Sequence, residues 1–505
     1  MKAESLGRKQ GSSILEVLIA LSVLTLGIAA SAMLTFANQT LKLDSDTANV
    51  ALYKDKDFLE EARARSREDF DSLLPIAPVL DPDPDNNNFK YTKELVVIDV
   101  TPCRKETISR ITYSADPKRP QKIELKTDFT DVAGALALGG DCAIDPPESN
   151  WDNPQKFASD NFNPGKPKSI DVLNRIVYMG SDKVPFLHIA DTTHAVLGQS
   201  NGLFVTFSNG FNASSQINAV DAATWRDPLD GTIHTYVYAA MDTNANQLKV
   251  IDVTDIQNPV LVATRSLSAC VTGSYPEGWR VYYYKNRLYF VTRETAGPEF
   301  HIFDVSTPSN PVELGGGACK GTQLNTTVNS LAVRDQIVGG VTKRFAYLAT
   351  TENDGELQVY DVTDPLDAGA ISEVAAARQN LSGAQDGQSI YLVGYKLYFG
   401  RQSTPGGPDL YIYNSLDPTT GLPLLGSKDI NTGVIALRVA GKFAFVGTPK
   451  TNAEFQVWNI SNPENIEFIN TYNFPNIIEN GIDYEPDFVY STSSANDSLR
   501  IIYSP

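Results

Sequence analysis

Apolar residues concentrate at the start of the chain. From Val17 to Leu41 no charged residue occurs, a run longer than the roughly 20 apolar residues a membrane-crossing helix needs. Beyond it Ala48, Leu52, Leu59 and Ala62 recur at three-to-four spacing. Lys54, Lys56, Arg63, Arg65 and Arg67 fall on other faces, the pattern of an amphipathic helix with a solvated basic side. No Pro or Gly interrupts the stretch between Ile28 and Leu74, and Pro75 ends it. The pattern predicts one long helix over 12–73, membrane-embedded in its first half and about 90 Å long at 1.5 Å per residue.

After Pro75 the period changes. Tyr91–Val100, Glu106–Tyr113 and Gln121–Phe129 alternate Val, Ile, Thr or Leu with polar residues, which predicts a small antiparallel sheet within 90–131. Residues 132–169 carry Pro146, Pro147, Pro154, Pro164 and Pro167 and read as a linker. The loop Asp81–Asn88 begins like a calcium loop. Asn86 replaces the required glycine, however, and Thr92 stands where a bidentate Glu is needed, so it reads as a solvated turn.

Residues 170–505 repeat. The unit is an aromatic-rich strand, a polar turn, and a strand ending in Asp before a Pro-containing turn. Its clearest copies are Leu248–Val253, Phe300–Val305, Leu357–Val362 and Phe455–Ile460, with weaker ones at Leu187, Leu410 and Leu499. Such a period, with four short strands per unit, predicts a β-propeller, and seven copies predict seven blades. The last copy reaches Pro505 after its third strand. A segment before or around Ser169–Val172 is therefore expected to supply the missing outer strand and fasten the ring.

The column Asp191, Asp252, Asp304, Asp361 reads as turn capping rather than a carboxylate ring. The column His188, Lys249, His301, Gln358, Tyr411, Gln456, Arg500 varies freely and reads as a solvent-facing strand position. The expected fold class is an α+β N-terminal part, a long helix with a small antiparallel sheet, followed by an all-β, seven-bladed propeller.

Charge narrows the partners. The 505 residues carry 42 Lys and Arg against 60 Asp and Glu, a net −18. Residues 171–505 alone hold 21 against 34, so the propeller is a poor phosphate-backbone binder and no nucleic acid is expected. Candidate chemistry is sparse. No H-E-x-x-H, G-x-S-x-G, P-loop or C-x-x-C is present, so no catalytic residue, metal or cofactor is assigned. Glu485 and Asp487 are near neighbours, but that spacing alone carries no chemistry.

The N-terminal run Gly11-Ser12-Ser13-Ile14-Leu15-Glu16-Val17-Leu18-Ile19-Ala20, preceded by Lys2, Arg8 and Lys9, resembles the class III leader of type IV pilins and type II secretion pseudopilins. The resemblance implies that a prepilin peptidase removes leader 1–11, cutting between Gly11 and Ser12, with Ser12 then methylated. The family favours phenylalanine where this chain has Ser12. Glu16, fifth after the cut, would pair with the N-terminal amine of a neighbouring subunit. Residues 12–131 would be a pilin-like domain, and the helix and small sheet resemble a small minor pilin.

The repeats resemble the LVIVP-type family of bacterial surface proteins. Val253-Thr254-Asp255 and Val362-Thr363-Asp364-Pro365 carry the match, while Asn414-Ser415-Leu416 departs from it.

These resemblances imply a single-pass precursor in the inner (cytoplasmic) membrane, then an extracellular filament or cell surface. The expected function is a minor, tip-placed type IV pilus subunit displaying a propeller for binding or adhesion. Its expected partners are other pilin subunits, prepilin peptidase, the inner membrane before assembly, and an unidentified extracellular protein or glycan. A pseudopilin of a secretion or DNA-uptake machine, and a surface-anchored propeller enzyme acting on glycans, are the alternatives. The four cysteines, Cys103, Cys142, Cys270 and Cys319, permit Cys103–Cys142 and Cys270–Cys319 disulfides in an exported protein, among three possible pairings.

Overall fold

The computed structural model describes residues 14–68, 70, 73–82, 90–101, 103–113, 120–131, 149–161, 165–207, 216–267, 277–316, 320–366, 371–473, 478–485, 487–493 and 498–505. A helix, α1 (Ile14–Glu68), comes first. Strands β1 (Ile76–Pro82), β2 (Lys90–Thr101), β3 (Arg104–Tyr113) and β4 (Gln121–Thr130) follow and form one sheet in the order β1-β2-β3-β4.

By its contacts the chain divides into two compact units. One comprises residues up to 64 with 75–96 and 107–127; the other comprises 65–74, 97–106 and 128–505. In the first unit the buried stripe of α1 is Thr47, Ala51, Asp55, Phe58 and Ala62. Ala51 packs with Tyr91, Ile111 and Tyr113. Asp55 is an acid inside this stripe. It accepts a short hydrogen bond from the Ser109 hydroxyl, and burial raises its pKa. Lys54 pairs with Asp81 at 3.0 Å, and Arg110 bridges Glu124 and Glu94 at 2.6 and 3.3 Å.

The second unit contains seven four-stranded sheets. In chain order, β5 (Gln155–Asp160) is set aside for the last. The first blade is β6 (Pro167–Leu173), β7 (Ile176–Ser181), β8 (Leu187–Asp191) and β9 (Phe204–Phe207). The second is β10 (Ile217–Arg226), β11 (Ile233–Met241), β12 (Leu248–Asp252) and β13 (Val260–Arg265). The third is β14 (Gly278–Tyr284), β15 (Arg287–Thr292), β16 (Phe300–Asp304) and β17 (Val312–Glu313). The fourth is β18 (Val328–Val338), β19 (Val341–Thr350), β20 (Leu357–Asp361) and β21 (Ser372–Glu373). The fifth is β22 (Gly387–Val393), β23 (Lys396–Arg401), β24 (Leu410–Asn414) and β25 (Leu424–Lys428). The sixth is β26 (Ala436–Ala440), β27 (Phe443–Gly447), β28 (Phe455–Asn459) and β29 (Glu467–Tyr472).

The seventh blade is β30 (Ile478–Glu485), β31 (Phe488–Ser493) and β32 (Leu499–Tyr503), completed by β5. The inner strands neighbour one another around the ring, and β30 returns to β6. This is a closed seven-bladed β-propeller.

The closing strand lies inside the segment read as a linker. β5 pairs antiparallel with β32, from Gln155 opposite Tyr503 to Asp160 opposite Leu499. Just before it, Trp151 is fully buried between the sixth and seventh blades with Phe445, Phe455, Ile482 and Ile502. Asp160 then reaches into the first blade, accepting the Leu203 and Phe204 N–H groups at 2.5 and 3.1 Å.

Two expectations are corrected. The expected class, an α+β pilin-like part joined to a propeller, is corrected for the chain as a whole: the described residues are dominated by strand, in eight four-stranded sheets. Nor do residues 12–131 form a self-contained part, since 65–74 and 97–106 belong to the propeller's unit. There Val100 accepts the Gly441 N–H at 2.9 Å. Buried Asp99 lies between Lys105 at 3.4 Å and Lys396 at 3.8 Å, and Lys105 also donates to the Leu73 carbonyl at 3.1 Å.

The second correction concerns location. Among the described residues no helix is long and apolar enough to cross a membrane. The expected single-pass membrane precursor is therefore withdrawn.

Candidate functional site

The inner strands enclose a central cavity of about 220 Å³. An innermost propeller strand has one edge without a ladder partner, so its backbone groups need other partners. Side chains of the preceding blade supply them. Asp483 accepts the Val172 N–H at 2.8 Å, Asp171 accepts that of Ala222 at 2.6 Å, and Asp221 accepts that of Tyr283 at 2.5 Å. Ser330 accepts the Ile390 N–H at 3.2 Å. In the opposite sense Asn218 and Asn329 each donate to the next inner strand, to the Gly278 and Gly387 carbonyls at 2.8 Å.

Asp171, Asp221, Tyr282, Ala332, Tyr391, Arg438 and Asp483 hold one register level around the cavity. Opposite them across each hairpin stand Tyr178, Tyr238, Tyr289, Tyr347, Tyr398, Phe445 and Tyr490, all buried.

The acids here sit in a tense field. Burial pushes the Asp221 carboxyl up to about 7; the Tyr283 N–H and Arg438 pull it back, and Asp483 adds to the rise. Burial likewise pushes Glu485 up to about 7, against the 2.5 Å hydrogen bond it accepts from the Arg175 N–H. Burial also works against the charge of Arg438, but Asp483, 2.9 Å from its Nε, leads the groups that hold its pKa above the usual range. Two residues before Tyr282 on β14, Arg280 has its pKa lowered to about 10 by burial, and then by Arg293.

The Asp column is turn capping. Asp191, Asp252, Asp304 and Asp361 accept the N–H two residues on at 2.9, 2.9, 2.8 and 3.1 Å. The variable column is corrected: His188, His301, Gln358, Tyr411, Gln456 and Arg500 are buried. Blade stacking covers both faces of the third strand, so polar residues there find internal partners. His301 contacts Glu313 at 2.8 Å and the Pro298 carbonyl at 2.9 Å, and Gln456 accepts from the Trp458 indole at 2.9 Å.

A second buried acid column precedes the third strands and was not singled out in the sequence. Glu299, Glu356 and Asp409 accept the N–H groups of Leu324, Leu381 and Ile430 at 2.6, 3.0 and 3.2 Å. Glu356 also pairs with the fully buried Arg401 at 3.0 Å.

Gly11 and Ser12 lie outside the described residues. Glu16 falls within α1, and its side chain is outside the described part. Cys103 is buried and disulfide-bonded; Cys142, Cys270 and Cys319 lie outside the described residues. Among the described residues no three His, Cys, Asp or Glu are grouped to hold a metal ion.

No family model matches the chain, and no curated protein does. Matches among solved structures include the computationally designed Ika8 protein, at 12% identity and a TM-score of 0.41 over 69% of this chain and 100% of that one. The WD40 β-propeller domain of Doa1 matches at 10% identity and a TM-score of 0.44, over 70% and 97% of the two chains. U3-55K matches at 10% and 0.34, over 84% and 94%. The propeller assignment rests on the strand order and ring closure described above.

Proposed function

We propose that this chain is a minor, tip-placed subunit of a type IV pilus-like filament and that its propeller is a binding head. The observation that carries the binding role is the use of the channel acids. Asp171, Asp221 and Asp483 are each engaged with the next blade's backbone, which favours a rigid recognition scaffold over a set of reactive carboxylates. The filament role rests on the run from Gly11 to Ala20, whose glycine precedes its apolar stretch.

Two measurements test the two halves. Mass spectrometry of the protein from its native host is expected to find an N-terminus at Ser12 bearing one added methyl group. An intact N-terminus, or a cut after the apolar run, removes the filament reading. Screening the purified full chain against glycan and protein arrays is expected to give saturable binding to a defined ligand. Turnover of a glycan instead of retention removes the binding-head reading.

A further inference from the structure

Arg280 is a cation in the channel wall with no carboxylate partner among the described residues. Its Nε donates to the Asn329 carbonyl at 2.7 Å and its Nη1 to the Trp279 carbonyl at 2.9 Å. Its guanidinium lies 4.3 Å from the Trp279 ring centre, and that of Arg293 lies 4.2 Å from it. The neighbouring Arg293 has Glu277 at 3.5 Å; among the described residues Arg280 has no acid. Arg280 is half-buried; withdrawing a guanidinium partly from water without a counter-ion is costly, and a second cation on the same indole raises that cost, consistent with the lowered Arg280 pKa. Two of its donors are fixed, so the group is held rigidly with Nη2 unassigned.

The same cavity is lined by Lys168, Ser169 and Gln388. Among the described residues, Lys168 and the Gln388 amide have no hydrogen bond or ion pair, and the buried Ser169 Oγ has no partner. Lys168, Trp279 and Gln388 occupy the level just before Ser169 and Arg280 on their inner strands. The Asp171–Asp221–Asp483 level lies two residues farther along, about 7 Å away. Unused donors therefore gather toward one end of the channel, and the acids toward the other.

We propose that this end of the channel is a binding site for a small carboxylate-bearing molecule. Arg280 supplies the charge and the planar donor edge, and Lys168, Gln388 and Ser169 complete the cradle. A cavity of about 220 Å³ admits a single uronic-acid-sized ring or a short organic acid. The proposal deepens the binding-head reading and rests on it.

The test is calorimetric titration of the full chain with glucuronate, lactate and inorganic phosphate, with glucose as the neutral twin of glucuronate. Saturable binding of at least one carboxylate and none of glucose is expected. Arg280→Gln is expected to weaken it at least tenfold. Lys168→Gln, at a side chain with no internal partner and hence with little effect on folding, is expected to weaken it several-fold. Phosphate binding as tightly as the carboxylates would replace a carboxylate site with a general anion site and overturn the proposal. So would silence from every carboxylate at 10-fold millimolar excess, or binding unchanged in folded Lys168→Gln and Arg280→Gln. An array ligand that both variants retain would leave the binding head standing and remove this site alone.

Discussion

Asp221 offers the sharpest test of the channel's electrostatics. Its folded-state pKa is raised to about 7 from the usual 3.8. Between those values the folded chain holds a proton that the unfolded chain has released. The Asp221 contribution to stability is therefore largest near pH 4 and is lost as pH rises through 7. About three pKa units correspond to a ceiling of about 4 kcal/mol. Channel water and the fields of Arg438 and Asp483 share in the response, so about half of that is expected, about 2 kcal/mol.

Asp221→Asn keeps an oxygen to accept the Tyr283 N–H and removes the charge. It is expected to be more stable than the parent by about 0.8 kcal/mol at pH 5, where the contribution has begun to fall, and by about 2 kcal/mol at pH 8. Tryptophan fluorescence isolates the propeller in this assay, because all four tryptophans (Trp151, Trp225, Trp279, Trp458) lie in its unit. Urea titrations of both full-length proteins at pH 5 and pH 8 give the comparison. Parallel pH dependences for parent and variant would refute the reasoning.

Three further outcomes follow from packing. Trp151→Ala empties a fully buried site between the sixth and seventh blades and is expected to cost about 3–5 kcal/mol in the same urea titration; a loss below 1 kcal/mol would count against that anchor. A chain beginning at residue 170 lacks β5 and leaves the β32 edge open. It is expected to self-associate on size exclusion where one beginning at 149 runs as a monomer; equal behaviour would remove β5 as the closure. Glu356→Leu alone strands the buried Arg401 and is expected to cost about 3–5 kcal/mol, while Glu356→Leu with Arg401→Met recovers most of it; equal losses in the urea midpoint would contradict the pairing.

The blades were legible because six of the seven third strands end in an Asp or Asn that caps its own turn, a signal confined to a few consecutive residues. The channel was not. Which inner-strand residue points to the axis depends on how seven blades close, and closure is not local. A trace was nonetheless present: Asp171, Tyr282, Tyr391, Arg438 and Asp483 each stand seven residues before a buried aromatic of the second strand. The His188 column was misread for the same reason, since a strand stacked between blades has no solvent face. In the first unit β1 hid behind Pro78 and Pro82, and the buried stripe of α1 passed unseen because Asp55 sits in its middle. The donors that gather around Arg280 come from three blades, so no single stretch of sequence could show them together.

The claim that the propeller is a recognition head built around its channel is tested most directly by hydrogen–deuterium exchange of the full chain with and without its array-identified ligand. The account predicts added protection in β6, β14 and β22, at the end bearing Lys168, Arg280 and Gln388. Protection confined to the outer strands β13, β17 and β25, with β6, β14 and β22 unchanged, would contradict it.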